Sequence, residues 1–281
     1  MSFCLENIAL NRFGEVPADQ SDFAVKAIMH EVGHIVGMNP ELLKFFRDPK
    51  TGRPLTPRPF QLSEEECVSG PSQNVLKPAC NTLQLRREAN GVKYYEIVTP
   101  TVVQVVRNHF DCQIMTGARL ENQPGSPSNC FGSNWDERLF LMEVMASPIQ
   151  VTDFFLSPIT LAVLEDSGWY IANYTSEFVK INPFGHGAGC DFVTKRCLTD
   201  HGLTIPSYSE GFFCNKPLLY TTLGTLDGHY GCDASHRSKA WCDLVDYGTT
   251  FFSKFNSPPP DSFQYFANPV RNSLTIMKLN F

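Results

Sequence analysis

The sequence predicts an α+β fold in two parts: a helix-bearing domain over residues 1–180 and a loop-rich, disulfide-stapled subdomain over residues 181–281. Three observations carry this. Three segments have helical start signals, periodicity and stop signals. A hairpin signal, Asn90-Gly91, lies between the first and second of them. Beyond Asn182 the helical signal fades, and five of the ten cysteines (Cys190, Cys197, Cys214, Cys232, Cys242) sit among glycines, prolines and aromatics.

The first helix is capped by Ser21-Asp22 and runs from Phe23 to Val36 before Gly37. Apolar residues cover most of its circumference, which predicts a buried helix. A long irregular stretch follows, with turn signals at Asp48-Pro49, Thr51-Gly52 and Ser69-Gly70-Pro71. Thr99-Pro100 opens the second helix, to about Phe110, because proline suits the first helical turn. A loop rich in Gly, Pro, Ser and Asn spans Asn122 to Ser133, and Ser157-Pro158 opens a third helix from Ile159 to about Asp166, closed by Gly168. The Ser257-Pro258-Pro259-Pro260-Asp261 run predicts an exposed break.

A chain of 281 residues with 42% apolar content buries a sizeable core. Its net charge of −6, without a basic run, gives no support to a nucleic-acid or membrane-surface partner. No apolar run reaches the roughly 18 residues of a membrane span, and Met1 to Glu6 has no signal-peptide pattern. Ten cysteines without a CxxC pair argue for disulfides and an oxidising compartment, extracellular or at the cell surface. The sequon Asn173-Tyr174-Thr175 agrees weakly. A cytosolic chain with free thiols is the competing expectation.

Chemistry concentrates in His30-Glu31-Val32-Gly33-His34, an HExxH motif on the first helix. Histidines four residues apart share one helix face, so both imidazoles can grip one Zn²⁺ while Glu31 reaches a metal-bound water as general base. Two packed core histidines in a chance match are the bland alternative. Gly37 extends the motif to HExxHxxG, the metzincin pattern, in which a glycine lets the chain turn towards a third ligand. The short spacing would put that ligand at Pro40, which has no metal-binding side chain, so either the chain is not a metzincin or its third ligand arrives from much later in the chain.

Further segments are Val98 to Val103, His109-Phe110-Asp111-Cys112, Gly117 to Asn122, Gly132-Ser133-Asn134-Trp135-Asp136-Glu137-Arg138, Glu143-Val144-Met145-Ala146, Leu164 to Tyr170 and Gly187 to Phe192. Together with the motif they resemble the leishmanolysin family of zinc metallopeptidases. The resemblance implies a metzincin-type zincin core: an active-site helix, a long insertion and a Met-turn. Residue by residue it implies His30 and His34 as zinc ligands, Glu31 as catalytic base and Met145 as the floor beneath the metal. The family pattern reads Gly-Ser-His-Trp-Glu where this chain has Gly132-Ser133-Asn134-Trp135-Asp136, so the third histidine is replaced by Asn134. A neutral amide oxygen binds zinc more weakly than an imidazole.

Three outcomes stay open for Asn134: a poor ligand in a working enzyme, an inactive homologue, or substitution by a neighbouring carboxylate such as Asp136. His109 reads as a packed histidine, and His186, His201, His229 and His236 show no ligand spacing. The function implied is a zinc metalloendopeptidase acting on protein or peptide substrates. Its alternative is a weakened or inactive relative serving as a surface or adhesion protein. Only 29 residues precede His30, where metzincins place several strands, so the chain reads as N-terminally shortened.

Overall fold

A computed structural model describes residues 12–68, 70–88, 91–122, 130–146, 154–199 and 204–213, and the backbone of strands at 230–232, 239–246 and 263–269. Asn90, the break at 257–261, residues His201, His229 and His236, and the side chains of Cys4, Cys214, Cys232 and Cys242 lie outside the described residues. The architecture is mixed helix and strand, as the α+β expectation has it.

Helix α1 spans Ala18–Val36 and α2 Pro40–Leu43. A hairpin of β1 (Leu62–Glu65) and β2 (Gln73–Leu76) follows. Strands β3 (Leu83–Arg87), β4 (Lys93–Ile97) and β5 (Ala118–Arg119) form a three-stranded antiparallel sheet. Helix α3 (Pro100–Phe110) is inserted between β4 and β5. Short α4 (Glu137–Phe140), α5 (Pro158–Asp166) and α6 (Gly189–Thr194) are the later α-helices among the described residues, and β6 (Tyr230–Cys232), β7 (Lys239–Asp246) and β8 (Phe263–Pro269) form a separate antiparallel sheet.

Local chemistry explains the two proline-initiated helices. Ser157 Oγ accepts from Ile159 N at 3.1 Å, capping α5 as its Ser-Pro start predicts. Helix α3 has no cap from its own Thr99; instead Asp166, at the end of α5, accepts from Thr101 N and Val102 N at 2.9 and 3.0 Å. A buried carboxylate on those free N–H groups fixes α3 against α5, and the faces in contact are apolar: Val102, Val106 and Phe110 from one, Ile159, Ala162 and Val163 from the other.

Residues beyond 180 join the same core. Phe184 and Phe192 stack on or near Phe110 and Phe213, and a disulfide ties Cys112 to Cys190. A second disulfide, Cys67–Cys130, holds the segment after β1 to the one before Asn134. Cys80 and Cys197 are free.

Helix α1 departs from expectation twice. It begins at Ala18 behind Pro17, so Ser21 and Asp22 lie within it. It is also not buried all round: Val25, Ile28, Val32 and Ile35 are exposed, Val25 by 54% and Ile35 by 66%. An all-round apolar helix identifies no particular face as the covered one; here the covered face carries His30 and Gly33. No helix among the described residues is long and apolar enough to cross a membrane.

Candidate metal centre

The site is assembled by a ladder of backbone contacts leading from the β3–β4–β5 sheet to α1. Leu120, following β5, bridges to Trp135 antiparallel, and Trp135 bridges on to Ala146. Trp135 N donates to Met145 O at 2.8 Å. Met145 is fully buried and lies directly against Gly33: a Cβ added at Gly33 would stand 2.1 Å from Met145 Sδ. The segment carrying Asn134 is thereby brought to the helix carrying HExxH. Trp135 is anchored on its far side by Nε1, which donates to Thr160 Oγ1 at 3.1 Å. That hydroxyl donates to the buried Glu143 at 2.8 Å.

Both imidazoles are oriented by backbone carbonyls. His30 Nδ1 lies 2.8 Å from Val144 O, and His34 Nδ1 lies 2.7 Å from Met38 O. A carbonyl only accepts, so each Nδ1 carries the proton and each Nε2 of a neutral ring presents a lone pair. Those two Nε2 atoms face each other at 3.1 Å. Two lone pairs at that separation repel unless a cation lies between them. Nitrogens bound about 2.0–2.1 Å from one tetrahedral ion stand roughly 3.3 Å apart, so the spacing fits zinc. Nδ1–H bonds to carbonyls are also the usual support of metal-binding histidines. Burial pushes the His30 pKa below the usual imidazole value and the His34 ring adds to this, while the Val144 carbonyl and Glu31 pull the other way. The neutral ring is the form that binds a metal.

Glu31, the next residue along, is exposed. Among the described residues no third His, Cys, Asp or Glu joins the two histidines in a metal-holding cluster. Asn134 offers what they lack: its Oδ1 is buried without a hydrogen-bond partner. A buried unpartnered amide oxygen costs roughly 1–3 kcal/mol, which a bound cation would relieve. Donor set and orphaned oxygen together fit the metal that the motif implies.

The other candidates are engaged elsewhere. Asp136 caps α4 by accepting from Arg138 N at 2.9 Å and pairs with Arg119 Nε at 2.5 Å. His109 is buried, its Nε2 donating to Phe184 O at 3.0 Å, and burial with the nearby His186 drives its pKa down to about 4. His186 lies edge-on against it, ring centroids 5.5 Å apart. Glu121, which nothing in the sequence pattern singles out, proves to be the residue holding Asn134: its Oε1 accepts from Asn134 Nδ2 at 3.0 Å. No motif spacing points to it; the signal is the backbone register, Leu120 opposite Trp135.

Comparison with known proteins gives the family. The leishmanolysin family profile matches residues 12–277. A leishmanolysin-like peptidase of Drosophila pseudoobscura pseudoobscura is 34% identical over 179 residues, covering 62% of this chain and 25% of its own length. A leishmanolysin homolog of Crithidia fasciculata is 31% identical over 173 residues, covering 62% of this chain and 22% of its own. A ciliated left-right organizer metallopeptidase of Mus musculus is 29% identical over 232 residues, 81% of this chain and 26% of the relative. The chain spans about a quarter of the length of these curated relatives. With a family match running almost from end to end, the chain belongs to the leishmanolysin family of peptidases.

Proposed function

We propose that this chain carries the centre of a zinc metalloendopeptidase that hydrolyses peptide bonds in proteins, with His30, His34 and Asn134 as metal ligands, Met145 as the floor of a metzincin-type site and Glu31 as general base. The observation that carries it is the pair of Nε2 lone pairs converging at 3.1 Å, together with an Asn134 Oδ1 left buried and unpartnered on the segment that Met145 ties to the HExxH helix. Zinc, when bound, supplies Lewis acidity that acidifies water and polarises the scissile carbonyl. The chain's own residues do the rest. Val144 and Met38 carbonyls lock the rings so that both Nε2 atoms face one point. Glu31, exposed and one residue beyond His30, accepts the proton of the attacking water and returns it to the departing amine nitrogen. Asn134 donates a neutral oxygen, which holds the metal less tightly than a histidine would.

Two disulfides among the described residues and the family membership support an extracellular or cell-surface location. Near-stoichiometric zinc in the purified protein, with casein cleavage abolished by chelator and by Glu31→Ala, is the outcome this function requires. Equal cleavage by parent and Glu31→Ala overturns it. The neutral donor at position 134 favours a second reading, a relative that keeps the fold and has lost turnover; zinc far below one equivalent and no chelator-sensitive cleavage would be its signature.

A further inference from the structure

We infer that Glu121 is the positioning residue that makes Asn134 a metal ligand, fixing its amide so that Oδ1 rather than Nδ2 faces the histidines and strengthening that oxygen as a donor. The inference rests on Asn134 being the third ligand, as proposed above.

The backbone sets the pair. Glu121 N donates to Asn134 O at 2.8 Å, next to the Leu120–Trp135 bridge. Gly132 permits the approach, since its φ is +81° and a Cβ there would stand 2.2 Å from Glu121 O. The buried carboxylate then gathers four donors on Oε1: Ser133 N at 3.0 Å, Ser133 Oγ at 3.2 Å, Asn134 N at 3.3 Å and Asn134 Nδ2 at 3.0 Å. The amide therefore has one allowed orientation. Rotated by half a turn, Oδ1 would face a carboxylate oxygen, acceptor against acceptor, and Nδ2 would take the buried, unpartnered place that Oδ1 now holds. In the orientation adopted, Oδ1 is the buried atom left without a partner.

A carboxylate receiving an amide N–H also draws negative charge onto the amide oxygen, because linked hydrogen bonds polarise one another. A neutral donor that is poor by itself is improved by a negative charge one bond behind it. Outer partners of this kind ordinarily change metal affinity 10–100-fold. Glu121 does not itself join the histidines, for no cluster of three acidic, histidine or cysteine ligands exists among the described residues.

The test is a double-mutant cycle on metal affinity, measured for Zn²⁺ and Co²⁺ by competition with a chromophoric chelator, in the parent, Asn134→Ala, Glu121→Gln and the double variant. The visible absorption of the Co²⁺ form reports ligand number and symmetry. Expected are a weakening of about 10–100-fold in Glu121→Gln, an altered Co²⁺ spectrum, and no further loss when Glu121→Gln is added to Asn134→Ala. Near-UV circular dichroism checks folding, and if Glu121→Gln does not fold, Glu121→Asp, which withdraws the carboxylate by one methylene, is expected to weaken binding in the same sense. Unchanged affinity in a folded Glu121 variant, or an equal loss with and without Asn134, overturns the inference while leaving the ligand assignment standing. Unchanged affinity in Asn134→Ala overturns the ligand assignment itself.

Discussion

The contact between Gly33 and Met145 joins the HExxH helix to the turn below it, and replacing Gly33 by alanine tests that contact through a change of sign. In a helix interior, alanine is favoured over glycine by about 1 kcal/mol. Here the new Cβ would stand 2.1 Å from Met145 Sδ and 3.0 Å from its Cε, whereas carbon contacts settle near 3.5–4.0 Å. Met145 is fully buried, so moving its sulfur and methyl aside presses on packed neighbours, at roughly 1–3 kcal/mol. At the upper end of that range the overlap exceeds the helical gain, and Gly33→Ala is expected to destabilise the parent by about 1–2 kcal/mol. Met145→Ala alone leaves a cavity costing about 2–5 kcal/mol. In that background the Gly33→Ala methyl enters the vacated space, and the same substitution becomes stabilising by about 1 kcal/mol. Urea midpoints of the four proteins, followed by near-UV circular dichroism, give the cycle directly. Gly33→Ala that stabilises the parent, or acts alike in both backgrounds, refutes the placement of Met145 against the HExxH helix.

Three further predictions concern titration and cross-links. His109 is held near pKa 4 by burial, so between its free value of 6.5 and 4 the unfolded chain takes up a proton that the folded chain refuses. Stability therefore falls on acidification through that window, by about 3 kcal/mol in all, and His109→Gln flattens the slope of urea midpoints; an unchanged slope contradicts this. Glu143 has the opposite sign: burial lifts its pKa to about 7 against its bonds from Ser157 and Thr160, so its contribution is complete below 4.5 and declines as pH rises to 7. Glu143→Gln should remove a loss of about 3 kcal/mol over that interval, and equal curves for variant and parent would argue against it. Without reductant, Cys67, Cys130, Cys112 and Cys190 should resist alkylation in denaturant, as mass spectrometry would read; breaking Cys67–Cys130, a separation of 63 residues, should cost about 4 kcal/mol.

Local signals in the chain foretold local structure well. The Thr99-Pro100 and Ser157-Pro158 starts mark α3 and α5 to within a residue, because proline fixes the first helical turn wherever the segment ends up. The hairpin around Gly91 forms, with Glu88 N donating to Val92 O at 2.9 Å. What depends on distant partners was not legible. Asp166 caps a helix 65 residues earlier in the chain, and a lone aspartate at the end of α5 gives no hint of that. Ser21 and Asp22 suit a cap by residue type, yet the chain is already helical behind Pro17, so the start of α1 lies earlier than residue type alone suggests. At the centre itself, the HExxH spacing predicts that two imidazoles share a face, but not that Val144 and Met38 carbonyls select their tautomers. Glu121 was invisible for the same reason: its role follows from which strand lies beside Asn134, a matter of register between distant segments.

The uncovered flank of α1 bears on how this molecule can be studied. Val25, Ile28, Val32 and Ile35 form a greasy stripe on the native protein, the kind of surface that takes up environment-sensitive dyes. Dye uptake commonly signals loosened packing, yet here the intact fold would glow before any heating begins. Melting curves read by such fluorophores would start high and change little, and stability comparisons among variants need an optical signal from the interior, such as the sealed indole of Trp135.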